Sequence, residues 1–162
     1  MLRIIGIDPG LATTGWAIVD FDGSSNPNII DYGCITTKKG LTISQRLKEI
    51  HDDLNELIEK YNPEYAGIET LLFYNNQKTA IAVGEARGVV LLVLEQKGVP
   101  IKEMTPLQVK NSITGYGQAK KKQVQEAVKI LCGMEELPKP DDAADAIAIA
   151  MAAEVRVSRN ID

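Results

Sequence analysis

Cysteine and histidine are nearly missing from this chain. Its 162 residues include two cysteines, Cys34 and Cys132, far apart and in no CxxC pair, and one histidine, His51. Those numbers argue against a zinc site and against a disulfide framework, so both thiols are expected to be reduced. A single histidine also leaves no HExxH helix, and a Ser-His-Asp triad would have to use His51. That residue falls in SQRLKEIHDDLNELIEKY, where Leu47, Ile50, Leu54, Leu57 and Tyr61 recur at helical spacing, and it reads as a residue flanking an amphipathic helix. Long apolar runs are missing too, since the longest candidate, Ala80 to Leu94, is broken by Glu85 and Arg87. The opening MLRIIGID holds too short an apolar stretch for a signal peptide. A cytoplasmic protein with no membrane partner is expected.

What remains is ordinary for a soluble globular chain, with 44% hydrophobic and 25% charged residues and neither repeats nor long linkers. One domain over residues 1–162 is expected, the last few residues forming a flexible tail. The net charge of −4 argues mildly against a protein whose whole surface binds nucleic acid. The charge is unevenly spread, however. Between Lys97 and Lys129 seven lysines face two acids, a balance of +5, which leaves −9 for the rest of the chain.

The apolar patterning predicts strands over about 3–8, 14–21 and 28–36, then a helix over 42–61 and a strand at YAGIE. A long helix over 77–97, a short strand near PIKEMT and helices near 106–113, 119–132 and 142–157 follow. Three strands in succession followed by alternating helices and strands predict an α/β fold, a mixed sheet with helices on its faces.

Two of the strands stop on an acid. Asp8 ends the run Ile4-Ile5-Gly6-Ile7 and is followed by the Pro9-Gly10 turn, and Glu69 closes AGIE in the same way. In open sheets of this kind ligands gather beyond the strand ends. A third signal is PKPDDAADAIAIAMAAEV. Asp141 or Asp142 can cap the helix there, and Asp142 and Asp145, three apart, share one face of its first turn. Acids at a helix start offset the macrodipole, which accounts for one or two of them. It accounts less well for Asp145, on the same stripe as the core-facing Ile149. If Asp8, Glu69, Asp142 and Asp145 converge, their repulsion requires cations. Two divalent ions would cancel four charges, and hard oxygen ligands suit Mg²⁺, with Mn²⁺ as the alternative. Such a pair can drive in-line phosphodiester hydrolysis.

Five stretches, GIDPGLATTGWAIV, GIE with an aromatic-containing loop after it, KTAIAVGEARG, TPLQVKNSITGYGQAKKKQVQ and DDAADAIAIA, stand in one order over residues 2–155. Together they resemble the RuvC family of bacterial Holliday junction endonucleases; the first alone also resembles actin-like sugar kinases and ATPases. The resemblance implies an RNase H-like five-stranded sheet and four catalytic, metal-binding acids at Asp8, Glu69, Asp142 and Asp145. Two Mg²⁺ per subunit are implied as well. Lys110 and Lys121 match family positions for DNA contact and catalysis, and Lys120 and Lys122 widen the phosphate-binding patch. Relatives often carry a base-stacking phenylalanine where this chain has Leu72, so Phe73 and Tyr74, which follow, become the candidates for that contact. Four-way junction DNA and the branch-migration proteins RuvA and RuvB are the implied partners.

In the predicted long helix Ala80, Gly84 and Gly88 recur every four residues. Glycine inside a helix costs about 1 kcal/mol relative to alanine, which suggests a close neighbour on that face. Either the chain's own sheet or the same helix of a second subunit fits. The family resemblance implies a homodimer, which suits a junction with two equivalent strands. The leading reading is a resolvase making paired nicks in recombination and DNA repair. The alternatives are a catalytically silent junction-binding protein and an actin-like phosphotransferase, for whose second lobe 162 residues leave no room.

Overall fold

The computed structural model describes residues 1–24, 26–70 and 77–160, the side chains of 77 and 78 excepted. Three strands come first, β1 (Leu2–Asp8), β2 (Thr13–Phe21) and β3 (Asn28–Thr36), then α1 (Ile43–Tyr61), β4 (Tyr65–Glu69) and α2 (Gln77–Gln96). The chain continues through β5 (Ile101–Met104), α3 (Pro106–Thr114), α4 (Lys121–Leu131) and α5 (Asp141–Ser158). The strands form one sheet in the order β3-β2-β1-β4-β5. Short connections allow β1, β2 and β3 to pair antiparallel, whereas β4 and β5 return through helices, β4 pairing parallel to β1 and β5 parallel to β4. The expected mixed five-stranded sheet is therefore present, with helices on both faces.

Alternation along the strands divides the core in two. Ile5, Ile7, Ile18, Ala66 and Ile68 point to the face covered by α1 and α2. Ile4, Ala17 and Val19 point to the opposite face, where α5 lies against the sheet and α3 and α4 lie outside it. Every residue of α5 from Ala146 to Ala153 is buried, which is why its sequence is apolar all round.

The alanines of α5 are matched by glycines beneath them. A Cβ added at Gly6 would overlap the Ala146 carbonyl oxygen and lie 2.7 Å from the Ala150 nitrogen. One at Gly67 would lie 2.7 Å from Ala153 Cβ, and one at Gly15 would overlap the Asp142 carbonyl oxygen. Gly6 pairs with Gly67 across β1 and β4, so the helix crosses the sheet along a path with no side chains.

Helix ends differ in detail from the sequence expectation. Thr42 caps α1 through a capping box with Gln45, as Thr105 caps α3 with Gln108. Neither Asp141 nor Asp142 caps α5. Pro140 occupies that position with its carbonyl accepting from Ala143 and Ala144, so both acids fall inside the first turn. The expected 119–132 helix starts at Lys121 because Lys120 is extended, its N–H bound by Gln123 Oε1 at 2.7 Å. Both cysteines are unpaired, and His51 on α1 bonds the neighbouring Asp52 at 2.9 Å. No described helix is long and apolar enough to cross a membrane. Of the expected tail, residues 161 and 162 lie outside the described residues.

Candidate active site

Asp8 and Glu69 are the last residues of adjacent parallel strands, one step beyond the paired Ile7 and Ile68. Each stands two residues after a glycine, in Gly6-Ile7-Asp8 and Gly67-Ile68-Glu69. With a period of two, glycine and acid share the sheet face that α5 covers. The glycines admit the helix, and the acids beyond them meet its first turn.

Asp8, Asp142 and Asp145 offer oxygen atoms that all lie within 4.8 Å of one another. Gly15, paired with Asp8 in the hairpin, makes this possible by lying directly under the Asp142 backbone. Glu69 is not in that group of three, but it lines a cleft of about 280 Å³ together with Asp8, Asp145, Lys110 and Lys121. Asp8 and Asp145 therefore belong to both groupings.

Three of the four acids are driven toward their protonated forms. Burial, followed by the charges of Asp145, Glu69 and Asp142, pushes Asp8 up to about 7, against the pull of Lys121. Glu69 is raised by burial and by Asp145, with Lys110 opposing. Asp145 is raised by burial although Lys121 Nζ donates to its Oδ2 at 3.1 Å. Lys121 itself is held above its ordinary value: burial lowers it, but the hydrogen bond and charge of Asp145 and the charge of Asp141 outweigh that. Crowded hard oxygens, short of positive charge and without a thiolate or imidazole among them, fit a divalent cation.

The turn after Asp8 is fixed from two sides. The buried Thr14 donates from Oγ1 to the Gly10 carbonyl at 2.8 Å and accepts from the Gly10 N–H at 3.3 Å. Thr37 bonds the Leu11 carbonyl at 2.7 Å through Oγ1 and the Ala12 carbonyl at 3.1 Å through its N–H, and it accepts from Arg46 Nε at 2.7 Å. Sequence reasoning missed these supports and the three glycines. The glycine signal was readable as the twice-repeated Gly-Ile-acid.

The lysines separate into two sets. Lys110 and Lys121 line the cleft, whereas Lys120 and Lys122 are exposed beside Glu126 and Ile130 on the outer side of α4. Leu72, Phe73 and Tyr74 lie outside the described residues. Of the small-residue stripe, Ala80 and Gly84 are half-buried and Gly88 is exposed. A Cβ at Gly88 would meet nothing within 4 Å among the described residues, so at that position the chain's own sheet is not the close neighbour.

Residues 4–153 match the family model described as crossover junction endodeoxyribonuclease RuvC. The protein of that name from Caldicellulosiruptor saccharolyticus is 51% identical over 150 residues, 93% of this chain and 90% of the relative. The one from Treponema denticola is 52% identical over 148 residues, 91% and 83% of the two chains. Among solved structures, Thermus thermophilus RuvC in complex with a Holliday junction substrate superposes with a TM-score of 0.93 at 30% identity, covering 99% of this chain and 98% of that one. The yeast mitochondrial Holliday junction resolvase Ydc2, at 18% identity and a TM-score of 0.64 over 98% and 84% of the chains, shares the fold. This chain belongs to the RuvC family of crossover junction endodeoxyribonucleases.

Proposed function

We propose that the protein resolves Holliday junctions by metal-dependent phosphodiester hydrolysis, placing paired nicks in opposed strands during recombination and repair, and that Asp8, Glu69, Asp142 and Asp145 are its catalytic acids. The observation that carries this reading is the cluster of Asp8, Asp142 and Asp145 oxygens within 4.8 Å, beside a cleft that also holds Glu69 and two lysines. These oxygens would hold two divalent cations, Mg²⁺ or Mn²⁺, which would supply charge stabilisation for an in-line displacement at phosphorus. The intact acid set gives no support to a catalytically silent protein.

The chain's own part is placement. Parallel strand ends and the glycine path fix the carboxylates before substrate arrives, so little reorganisation remains for the reaction. Lys110 and Lys121 bring positive charge to the cleft wall, where they hold a phosphate, and Lys120 and Lys122 extend that attraction along the outside of α4. An aromatic at Phe73 or Tyr74 stacks on an unpaired base at the junction. The subunits pair through the outward face of α2, where Ala80, Gly84 and Gly88 are flanked by the exposed Ile81 and Leu92. Two copies present two clefts to a two-fold substrate. The enzyme works in the cytoplasm with RuvA and RuvB as branch-migration partners.

The test compares a mobile four-way junction with a linear duplex of the same sequence, in Mg²⁺ and in EDTA. Wild type is expected to nick the junction symmetrically in Mg²⁺ alone, and Asp145→Asn to lose at least about a hundredfold in rate, in the range seen when a group that stabilises charge in a transition state is removed. Equal cutting of both substrates, or full activity in EDTA, overturns the reading.

A further inference from the structure

Asp141 has no part in that reading. It is the first residue of α5, and it lies outside the group formed by Asp8, Asp142 and Asp145. Its carboxylate is nevertheless engaged. Oδ1 accepts from Gln125 Nε2 at 3.3 Å, and Oδ2 lies 3.5 Å from Lys121 Nζ. Lys121 and Gln125 are four residues apart on α4, so Asp141 grips one face of that helix at its start.

Lys121 is held at the same time by Asp145, at 3.1 Å. One ammonium is thus shared between a carboxylate of the proposed metal site and a carboxylate outside it. The two anions fare differently when divalent cations bind. The charge of Asp145 is then claimed, and the ammonium faces nearby positive charge where it had faced negative. The charge of Asp141 is untouched. Lysine sits on a flexible four-carbon stem, and among the described residues the carboxylates of Asp145 and Asp141 are the ones that hold it at the cleft.

We propose that Asp141 is a positioning residue for Lys121: it tethers the ammonium at the mouth of the cleft once Asp145 is committed to metal, leaving it within reach of the substrate phosphate. Gln125 completes the tether by fixing the Asp141 carboxylate. The tether follows from the contacts alone; its consequence for cutting rests on the nuclease reading.

The experiment is a double-mutant cycle on the full chain with Asp141→Asn, Lys121→Ala and the pair, read in two ways. The first reading is Mn²⁺ affinity by calorimetry, which needs no activity. Lys121→Ala should tighten Mn²⁺ by removing a competing cation. Asp141→Asn should weaken it about fivefold when Lys121 is present and less than twofold when it is absent. The second reading is the single-turnover rate of junction nicking in saturating Mg²⁺. Here Asp141→Asn should lose about fivefold in wild type and nothing further beside Lys121→Ala, while Asp141→Glu should recover most of the rate. Junction affinity in EDTA should change less than twofold in Asp141→Asn. Equal losses in both lysine backgrounds would make Asp141 a direct ligand or a field effect, and no loss in either would leave it without a role; both results overturn the proposal. Coupled Mn²⁺ affinities in a protein that nicks nothing would retain the tether and reject the nuclease reading.

Discussion

Two helices of this molecule carry stripes of small residues, and they use them in opposite ways. On α5 the alanines from Ala143 to Ala153 are buried, and the backbones of Gly6, Gly15 and Gly67 lie close beneath the helix. On α2 the apolar residues Ala86, Val90, Val93 and Leu94 face the core, while Gly88 lies on the outer side with open space above it. The first stripe is one half of a close fit whose other half is in the same chain. The second has no such half within the described chain at Gly88. A small-residue stripe therefore has no fixed meaning; what it does depends on whether backbone or solvent stands opposite.

The most damaging way to test that contrast is to fill the α5 path. At Gly6 even one methyl group would overlap the Ala146 carbonyl and crowd Ala150. Backbone cannot step aside as a long side chain can, so Gly6→Ala should cost at least about 3 kcal/mol, the upper end for overpacking. Urea unfolding at neutral pH measures it. Gly15→Ala should be nearly as costly and should also separate Asp142 from Asp8, so its Mn²⁺ affinity should fall further than its stability accounts for. A well-folded Gly6→Ala protein with full stability would show that α5 does not depend on the glycine path.

The site at the end of that path has a smaller, pH-dependent signature. Asp8 sits at about 7 in the folded metal-free protein and near its ordinary value of 3.8 when unfolded. Between those values the folded state holds a proton that the unfolded state releases. Stability without metal should therefore fall as pH rises from about 4 to about 7, by about 2 kcal/mol once relaxation is allowed for. Asp8→Asn removes the most strongly shifted of the three raised acids and should flatten most of the slope, and Mg²⁺ should flatten it in wild type by stabilising the ionised carboxylates. Thermal melts across pH 4–8 with EDTA or Mg²⁺ check both outcomes. A metal-free protein that gains stability over that range would contradict the crowding of Asp8.

Much of this is legible in the amino-acid sequence. Strand ends at Asp8 and Glu69 followed from apolar runs stopping on acids, and the shared face of Asp142 and Asp145 followed from three-residue spacing, because both depend on local periodicity. The part that escaped depends on pairs distant in sequence. That Gly15 lies under Asp142, or that Thr37 pins the turn at Leu11, cannot be read from either residue alone. The capping expectation at Asp141 failed for a related reason, since Pro140 took the cap and left Asp141 free to reach α4. The two partners left open for Gly88 differed only in tertiary placement, and periodicity carries no information on that.

Gly88 supplies the smallest test, and its sign is opposite to that at Gly6. With nothing among the described residues within 4 Å of an added Cβ, Gly88→Ala should meet no clash and gain helix propensity, so the folded subunit should become more stable by about 1 kcal/mol. That gain has to be measured at concentrations where wild type and variant are both monomeric, because a dimer adds stability of its own by mass action. At higher concentration the effect should reverse if α2 is the surface through which subunits pair. Gly88→Glu sharpens the same point, placing a charge between the exposed Ile81 and Leu92 without disturbing the buried side of the helix. If subunits pair through α2 as proposed, sedimentation should find Gly88→Glu monomeric at concentrations where wild type dimerises, while urea unfolding of the dilute protein stays within about 0.5 kcal/mol of wild type. A Gly88→Glu protein that still sediments as a dimer would remove α2 from the interface, and the contrast between the two stripes would then need another explanation for glycine on an exposed helical face.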